Sequence, residues 1–326
     1  MIKLAAFIAV TLAVFCTHPV AAEQPLGVSS INTSGPRSLT LTIWYPANGG
    51  QQEVVGGNDV FEGAIAGRDA PSLTGKVPLI LVSHGGLRSA ADSGAWLSSA
   101  LARAGNIVVE VNSPRPASAA VAVDEMWRRP DDITHALEVV LDNPDWVQRI
   151  DQQRISAVGF ALGGTASFML GGALIEPNSY IQSCSGENVG PDCSWYAAQE
   201  VSLASVDQEN LTRYRHDPRI QSIIAIAPEY LDLFKHDRFA LDAPALTLTL
   251  GEVSETAPQA RHPFMQEAVR ASSIYDGFSV CTSEGPEIIA VDGGDPLLCG
   301  NSSESRQGVH DAIVLVILNF LQQNYQ

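Results

Sequence analysis

The sharpest chemical signal in the sequence is a glycine-framed turn, Val158 to Gly164, whose central position carries no reactive atom. This segment reads Val-Gly-Phe-Ala-Leu-Gly-Gly, and its first three residues are the end of a predicted strand that stops at Phe160. This frame matches the nucleophile elbow G-x-S-x-G, in which a tight strand-to-helix turn exposes a nucleophile above a sheet. Ala161 stands where the serine is expected, and its methyl group can neither attack a carbonyl nor form an acyl intermediate.

A second turn, His84 to Leu87, has the form of a loop that donates a backbone amide to an oxyanion. The amides of Leu87 and Leu162 would form the oxyanion-hole or ligand-binding pair, because backbone amides survive any change of side chain. The glycines of this loop are explained equally well by tight turns and close packing.

The two turns lie between predicted strands and helices that alternate along the chain. Short β-branched or apolar runs predict strands at 38–45, 77–83, 106–112, 154–160, 220–227, 245–250 and 287–291. The run at 287–291 is expected to be the last strand of the sheet. Helix-compatible segments predict helices within 90–104, from Arg129 to about Leu141 with Pro130 in the first turn, from 161 onward, and over 307–323. This alternation predicts an α/β fold with a mostly parallel, doubly wound sheet.

The chain is long enough to bury the core of one larger α/β domain. Residues 1–22 have the layout of a secretory signal peptide: Lys3, an apolar run from Leu4 to Phe15, and Ala21-Ala22 before Glu23. We therefore expect a single domain over 23–326, interrupted by a small cap or insertion at 176–216, in a periplasmic or secreted protein. That apolar run is shorter than the ~20 residues that span a bilayer, and no later segment is long and apolar enough.

The net charge limits the classes of binding partner. Removing the leader takes away one lysine and leaves a formal charge of −18, which disfavours nucleic acid and anionic membrane surfaces as partners.

The four cysteines that remain suggest two disulfides, for which the sequence permits three connectivities. Proximity in the chain favours Cys184 with Cys193 and Cys281 with Cys299.

Four pieces of the chain together resemble the bacterial dienelactone-hydrolase-like family related to platelet-activating-factor acetylhydrolases. They are Trp44-Tyr45-Pro46-Ala47, Val77 to Gly86, Arg129-Pro130-Asp131-Asp132-Ile133, and Gly159 to Gly164. The resemblance implies the α/β-hydrolase fold, ester hydrolysis by a serine, an aspartate and a histidine in that chain order, and no cofactor.

The resemblance also identifies the residues of this chain that stand at the three positions of the catalytic triad. The nucleophile position is Ala161; the acid position, counted between Gly251 and Pro258, is Ser254. The histidine position, in the loop after the last strand, falls on Asp295. All three catalytic-triad positions are therefore expected to be degenerate.

Several other residues could in principle replace members of the triad. Glu255 or Glu229 could supply an acid, but neither restores a nucleophile or a base. His310 lies in the predicted last helix, where a structural role is expected, and Ser89 is best explained as a loop serine. His84 could be a base in principle, but it is better explained as a residue that hydrogen-bonds to the backbone and shapes its loop.

Acidic residues near the C-terminus raise the question of a divalent cation site. Three aspartates, Asp292, Asp295 and Asp311, match no metal-binding loop pattern. We therefore expect no metal.

These observations predict a non-hydrolytic pseudo-hydrolase that binds a small acyl or ester-like ligand or an unknown protein partner. The alternative is an active ester hydrolase that uses relocated or unusual residues, including water activated by Asp295. A purely structural protein would have side chains filling the space above Ala161.

Overall fold

A single ten-stranded sheet organises the described chain. The computed structural model describes residues 25–72, 74–185, 190–234, 241, 243–252, 264–300 and 302–325. The strands are β1 (Leu26–Asn32), β2 (Thr40–Pro46), β3 (Gln51–Val55), β4 (Ala64–Arg68), β5 (Val77–Ser83), β6 (Ile107–Asn112), β7 (Ile150–Phe160), β8 (Ser222–Ile226), β9 (Ala245–Leu250) and β10 (Met265–Val269). The predicted signal peptide lies outside the described residues.

The helices alternate with the strands over most of the sheet. They are α1 (Ala95–Arg103), α2 (Ala119–Ala122), α3 (Glu125–Asp142), α4 (Pro144–Val147), α5 (Leu162–Leu170), α6 (Pro177–Gln182), α7 (Cys193–Ala198), α8 (Gln208–Leu211), α9 (Gly285–Val291) and α10 (Ser303–Asn324). Short 3-10 helices lie at Leu203–Ser205, Leu231–Leu233, Ile274–Gly277 and Pro296–Cys299.

The strand order is β10-β9-β8-β7-β5-β6-β2-β1-β4-β3. Every pair from β6 through β5, β7, β8 and β9 to β10 is parallel, whereas β2 pairs antiparallel with both β6 and β1. The central strands are apolar on both faces, as expected where helices cover a parallel sheet on both sides. The carboxyl ends of β5, β7 and β8 meet at one edge, which is where the two glycine-rich turns lie.

Two hydrophobic layers cover the sheet. On one face Ile133 and Leu137 of α3 pack with Ala166 and Phe168 of α5. The other face is covered by α1 and α10, through residues such as Leu97, Leu101, Ile313 and Ile317. The predicted α/β class with a mostly parallel, doubly wound sheet is confirmed.

The region predicted as a cap, 176–216, contains α6, α7 and α8 between α5 and β8. One disulfide, Cys184–Cys193, closes the segment between α6 and α7. The second disulfide, Cys281–Cys299, links the start and end of the segment that contains α9. The favoured pairing is thus the one that the structure forms.

The predicted start of α3 was wrong. The helix begins at Glu125, so Pro130 lies inside it and not in its first turn. Glu125 and Met126 are buried on the same face as Arg129, and this packing extends the helix toward its N-terminus. Tertiary contacts therefore outweigh the missing amide hydrogen of proline.

The predicted last strand was also wrong. Residues 287–291 belong to α9, which has Pro286 in its first turn, and Glu287 and Val291 face solvent. A short apolar run does not distinguish a strand from a helical turn by periodicity. The last strand of the described chain is β10, an edge strand with mostly exposed residues that gave no strand signal.

None of the helices in the described ranges is both long and apolar enough to cross a membrane.

Candidate functional site at the strand-to-helix elbow

Ala161 occupies the tip of the turn between β7 and α5. Its backbone has φ 55° and ψ −122°, a conformation that residues with a Cβ atom rarely adopt. The Ala161 amide donates to the Ile226 carbonyl (3.1 Å), and its own carbonyl accepts from the Glu229 amide (3.2 Å). The geometry of a nucleophile elbow is therefore kept although the side chain is a methyl group.

The glycines of the elbow are required by close backbone approach. A Cβ atom on Gly159 would lie 2.0 Å from the carbonyl oxygen of Gly163, and one on Gly163 would lie 1.9 Å from that of Ser83. Only glycine fits at either position. The elbow turn thus packs directly against the end of β5, where the His84 loop begins.

A cavity of about 490 Å³ opens above Ala161. Its apolar wall is formed by Leu87, Phe61, Phe160, Ile274, Phe278 and Leu298. Its polar wall includes Arg88, Ser89, Ser93, Arg115, Asp192 and Glu229. The space above the elbow is therefore not filled by side chains, contrary to what a purely structural protein would show.

The two residues predicted to donate amides take different places. Leu87 lines the cavity. Leu162, the first residue of α5, is buried beneath the elbow and does not belong to the cavity wall.

Two carboxyl groups line the cavity, one on the half-buried Glu229 and one on the buried Asp192. Burial, together with the neighbouring Asp192, raises the pKa of Glu229 to about 7, against the opposing effect of Arg129. Burial also raises the pKa of Asp192, opposed by Arg88 and Arg129. Glu229 Oε2 is buried and has no hydrogen-bond partner within the described part of the chain. Of the two acids weighed from sequence, Glu229 reaches the cavity, while Glu255 lies outside the described residues.

His84 lies beneath the cavity, next to Phe160. Its Nε2 lies 2.8 Å from the Gly277 carbonyl oxygen and its Nδ1 lies 3.2 Å from Ser93 Oγ. Burial lowers the pKa of His84 to about 4. The backbone contact was expected; Ser93 was not identified from the sequence, where nothing distinguishes it from other loop serines.

His310 is held away from the elbow cavity. Its ring stacks on Trp96 with centroids 3.7 Å apart, and its Nε2 lies 3.0 Å from the carbonyl oxygens of Asp276 and Phe278. Burial lowers the pKa of His310 to about 4. This residue packs α10 against α1, and it lines a different cavity together with Trp96.

Asp295, the predicted histidine position, lies away from the elbow cavity. Asp295 is exposed, and its carboxylate accepts a hydrogen bond from the Leu297 amide (2.9 Å), so it caps a 3-10 helix and does not line the elbow cavity. Ser254 lies outside the described residues. Within the described ranges, no three histidine, cysteine, aspartate or glutamate side chains are placed to hold a metal ion.

No family model and no curated protein matches this sequence. Among solved structures, a ferulic acid esterase from Streptomyces cinnamoneus is similar, with a TM-score of 0.58 over 93% of this chain and 91% of that chain at 15% identity. The chain therefore has the α/β-hydrolase fold. At 15% identity this likeness shows the fold alone, and the resemblance to the dienelactone-hydrolase-like family stays a prediction.

Proposed function

We propose that this protein binds a small acyl or ester-like ligand in the elbow cavity and forms no covalent intermediate at position 161. The observation that carries the proposal is the elbow itself. Its unusual backbone geometry and its glycine frame are kept, and it opens onto a cavity, but its tip is a methyl group. A pocket of this volume is in the range that holds small ligands.

The cavity wall favours a ligand with an apolar or aromatic acyl group. Phe160 and Phe278 meet edge to face with ring centroids 5.6 Å apart, and Phe61 stacks on Phe278 at 6.4 Å. These rings offer apolar area and the edge-to-face geometry that aromatic ligands prefer. A feruloyl ester, the ligand class suggested by the structural neighbour, is therefore a suitable probe.

Efficient hydrolysis at the elbow is not expected. In subtilisin, removing the serine or the histidine alone lowers turnover by roughly 10⁶-fold. No histidine belongs to the described wall of the elbow cavity. The nearby imidazole of His84 is already engaged by Ser93 and Gly277, so Ala161→Ser would supply a hydroxyl without a base. We expect that variant to hydrolyse 4-nitrophenyl butyrate no faster than the parent protein.

Calorimetric titration with ethyl ferulate tests the binding. Ala90 lies at the exposed rim of the cavity, so Ala90→Trp should fill the entrance and weaken binding by about tenfold or more, a loss of about 1.4 kcal/mol. Ala120→Trp places the same side chain on an exposed position of α2 and is the matched control. Equal affinity in both variants, or ester turnover near the typical enzymatic value of about 10 s⁻¹, would contradict the proposal.

We also propose that the protein acts in the periplasm or outside the cell. Its two disulfides support this, because such bonds persist in oxidising compartments. Loss of the predicted leader at Ala22, seen by N-terminal sequencing of the exported protein, is the expected result. A cytoplasmic protein with all cysteines reduced would contradict it.

A further inference from the structure

We propose that Ser93 is a nucleophile of the elbow cavity, with His84 as its base, and that it accepts an acyl group from an activated ester to give a long-lived acyl-serine. The inference rests on the proposed function, since the same cavity must first hold the ester. It adds a covalent step at a residue other than the elbow position.

Ser93 is placed where a ligand can reach it. It lies in the turn before α1, is half-buried, and lines the cavity together with Ala161 and Leu87. Its Oγ lies 3.2 Å from Nδ1 of His84, which is within hydrogen-bond reach of a base. The cavity therefore contains a hydroxyl with an imidazole partner, whereas Ala161 at the elbow has no hydroxyl.

The Gly277 carbonyl group determines which ring nitrogen of His84 carries the hydrogen. The Gly277 carbonyl oxygen lies 2.8 Å from Nε2 and can only accept, so Nε2 carries the hydrogen and donates it. Trp96 Nε1 lies 3.1 Å from the same oxygen and 3.3 Å from His84 Nε2. Because Nε2 carries the hydrogen for the shorter contact with Gly277, Trp96 donates to the carbonyl oxygen and helps to hold it in place. Nδ1 is left with its lone pair and accepts from the Ser93 hydroxyl, the arrangement that a nucleophile needs.

A backbone carbonyl here occupies the place that an orienting carboxylate has in a serine triad. It holds the ring in one tautomer but carries no full negative charge to stabilise an imidazolium. Burial keeps His84 neutral at pH 7 and makes it a weak base. Together these features favour a slow reaction with an activated ester over rapid turnover.

The step balances without any further reactant. Ser93 Oγ attacks the acyl carbon while its proton passes to His84 Nδ1. The bond from the acyl carbon to the leaving oxygen then breaks, and Nδ1 returns the proton to that oxygen. The products are an acyl-serine and a free alcohol or phenol, and His84 is again neutral.

Mass spectrometry after incubation with 4-nitrophenyl butyrate tests the proposal. We expect one butyryl group per chain, located by peptide mapping on the peptide that contains Ser93. Ser93→Ala should abolish the adduct, and Ser93→Cys should restore it as a thioester. His84→Gln should slow labelling by about 100-fold, the lower end of a general base contribution.

The controls separate this proposal from the binding proposal. Ser205→Ala, at an exposed serine of the cap region, should label as the parent does, and circular dichroism should show every variant folded. If Ser93 stays unmodified while ethyl ferulate still binds, the Ser93 proposal is overturned and the proposed function stands. An adduct on another residue, unchanged in Ser93→Ala, also overturns it. If ethyl ferulate fails to bind but Ser93 is labelled, the failure falls on the binding proposal.

Discussion

Arg129 Nη2 donates a hydrogen bond to the carbonyl oxygen of Gly86 at 3.1 Å. The same side chain pairs through Nε with Glu125, also at 3.1 Å, and both side chains are almost completely buried. Arg37 joins this network by pairing with both Glu125 and Asp132. A buried ion-pair network on α3 therefore holds the glycine loop that borders the elbow cavity.

Removing the Arg129 guanidinium should loosen that loop. We expect Arg129→Met to lower the free energy of unfolding by about 3 kcal/mol, because breaking a buried ion pair leaves charge without compensation. Arg128→Met removes a more exposed pair with Asp124 and should cost no more than about 1 kcal/mol. Urea unfolding measures the free energy of unfolding of both variants. Equal losses would show that the buried network stabilises the protein no more than the exposed pair does.

A buried glutamate should make stability depend on pH. Burial raises the pKa of Glu110 to about 8, with Asp92 adding to the effect. The folded protein then holds a proton that the unfolded chain, with a glutamate pKa of about 4.3, has lost. Stability therefore falls as pH rises between about 4.5 and 8, by up to about 1.4 kcal/mol per unit.

Glu110→Gln should flatten that part of the curve. Urea unfolding at several pH values between about 5 and 8 measures the difference from the parent protein. The exposed Glu287→Gln serves as the control and should leave the slope unchanged. A parental slope in Glu110→Gln would mean that another group causes the dependence.

Two glycines should respond oppositely to the same substitution. Gly163→Ala puts a Cβ atom 1.9 Å from the Ser83 carbonyl oxygen, so we expect a loss of about 3 kcal/mol or more. Gly308 lies in α10 with open space around its Cβ position, and Gly308→Ala should gain about 1 kcal/mol through helix propensity. Thermal unfolding of the two variants gives the comparison, and a tolerated Gly163→Ala would refute the tight elbow packing.

The second disulfide should support both stability and the cavity. Cys281→Ser with Cys299→Ser opens an 18-residue separation and should cost about 3 kcal/mol. The segment that it closes carries Leu298 of the cavity wall, so binding of ethyl ferulate should also weaken. Calorimetric unfolding and titration of the double variant measure the two effects. The Cys184–Cys193 disulfide closes a shorter loop, so the paired Cys184→Ser and Cys193→Ser variant should lose somewhat less stability.

The sequence predicted much of the fold because its signals are local. The strand over 77–83 and the strand over 245–250 have the predicted bounds, since each is an apolar run that ends at a turn. The stretch at 287–291 was misassigned because five apolar and acidic residues fit a helical turn as well as a strand. β10 gave no signal because an edge strand with exposed residues has no apolar pattern.

By itself, the sequence predicted the elbow and determined that its tip carries a methyl group and no hydroxyl. Gly159, Ala161 and Gly163 are close neighbours in the chain, so a motif suffices to predict the turn and to show which residue stands at its tip. Only the tertiary structure decided what faces Ala161. Glu229, Asp192 and Ser93 come from three separate segments, and the carbonyl that orients His84 lies 193 positions away in the chain. No local pattern encodes such pairs, because the packing of the whole sheet and its flanking loops brings them together.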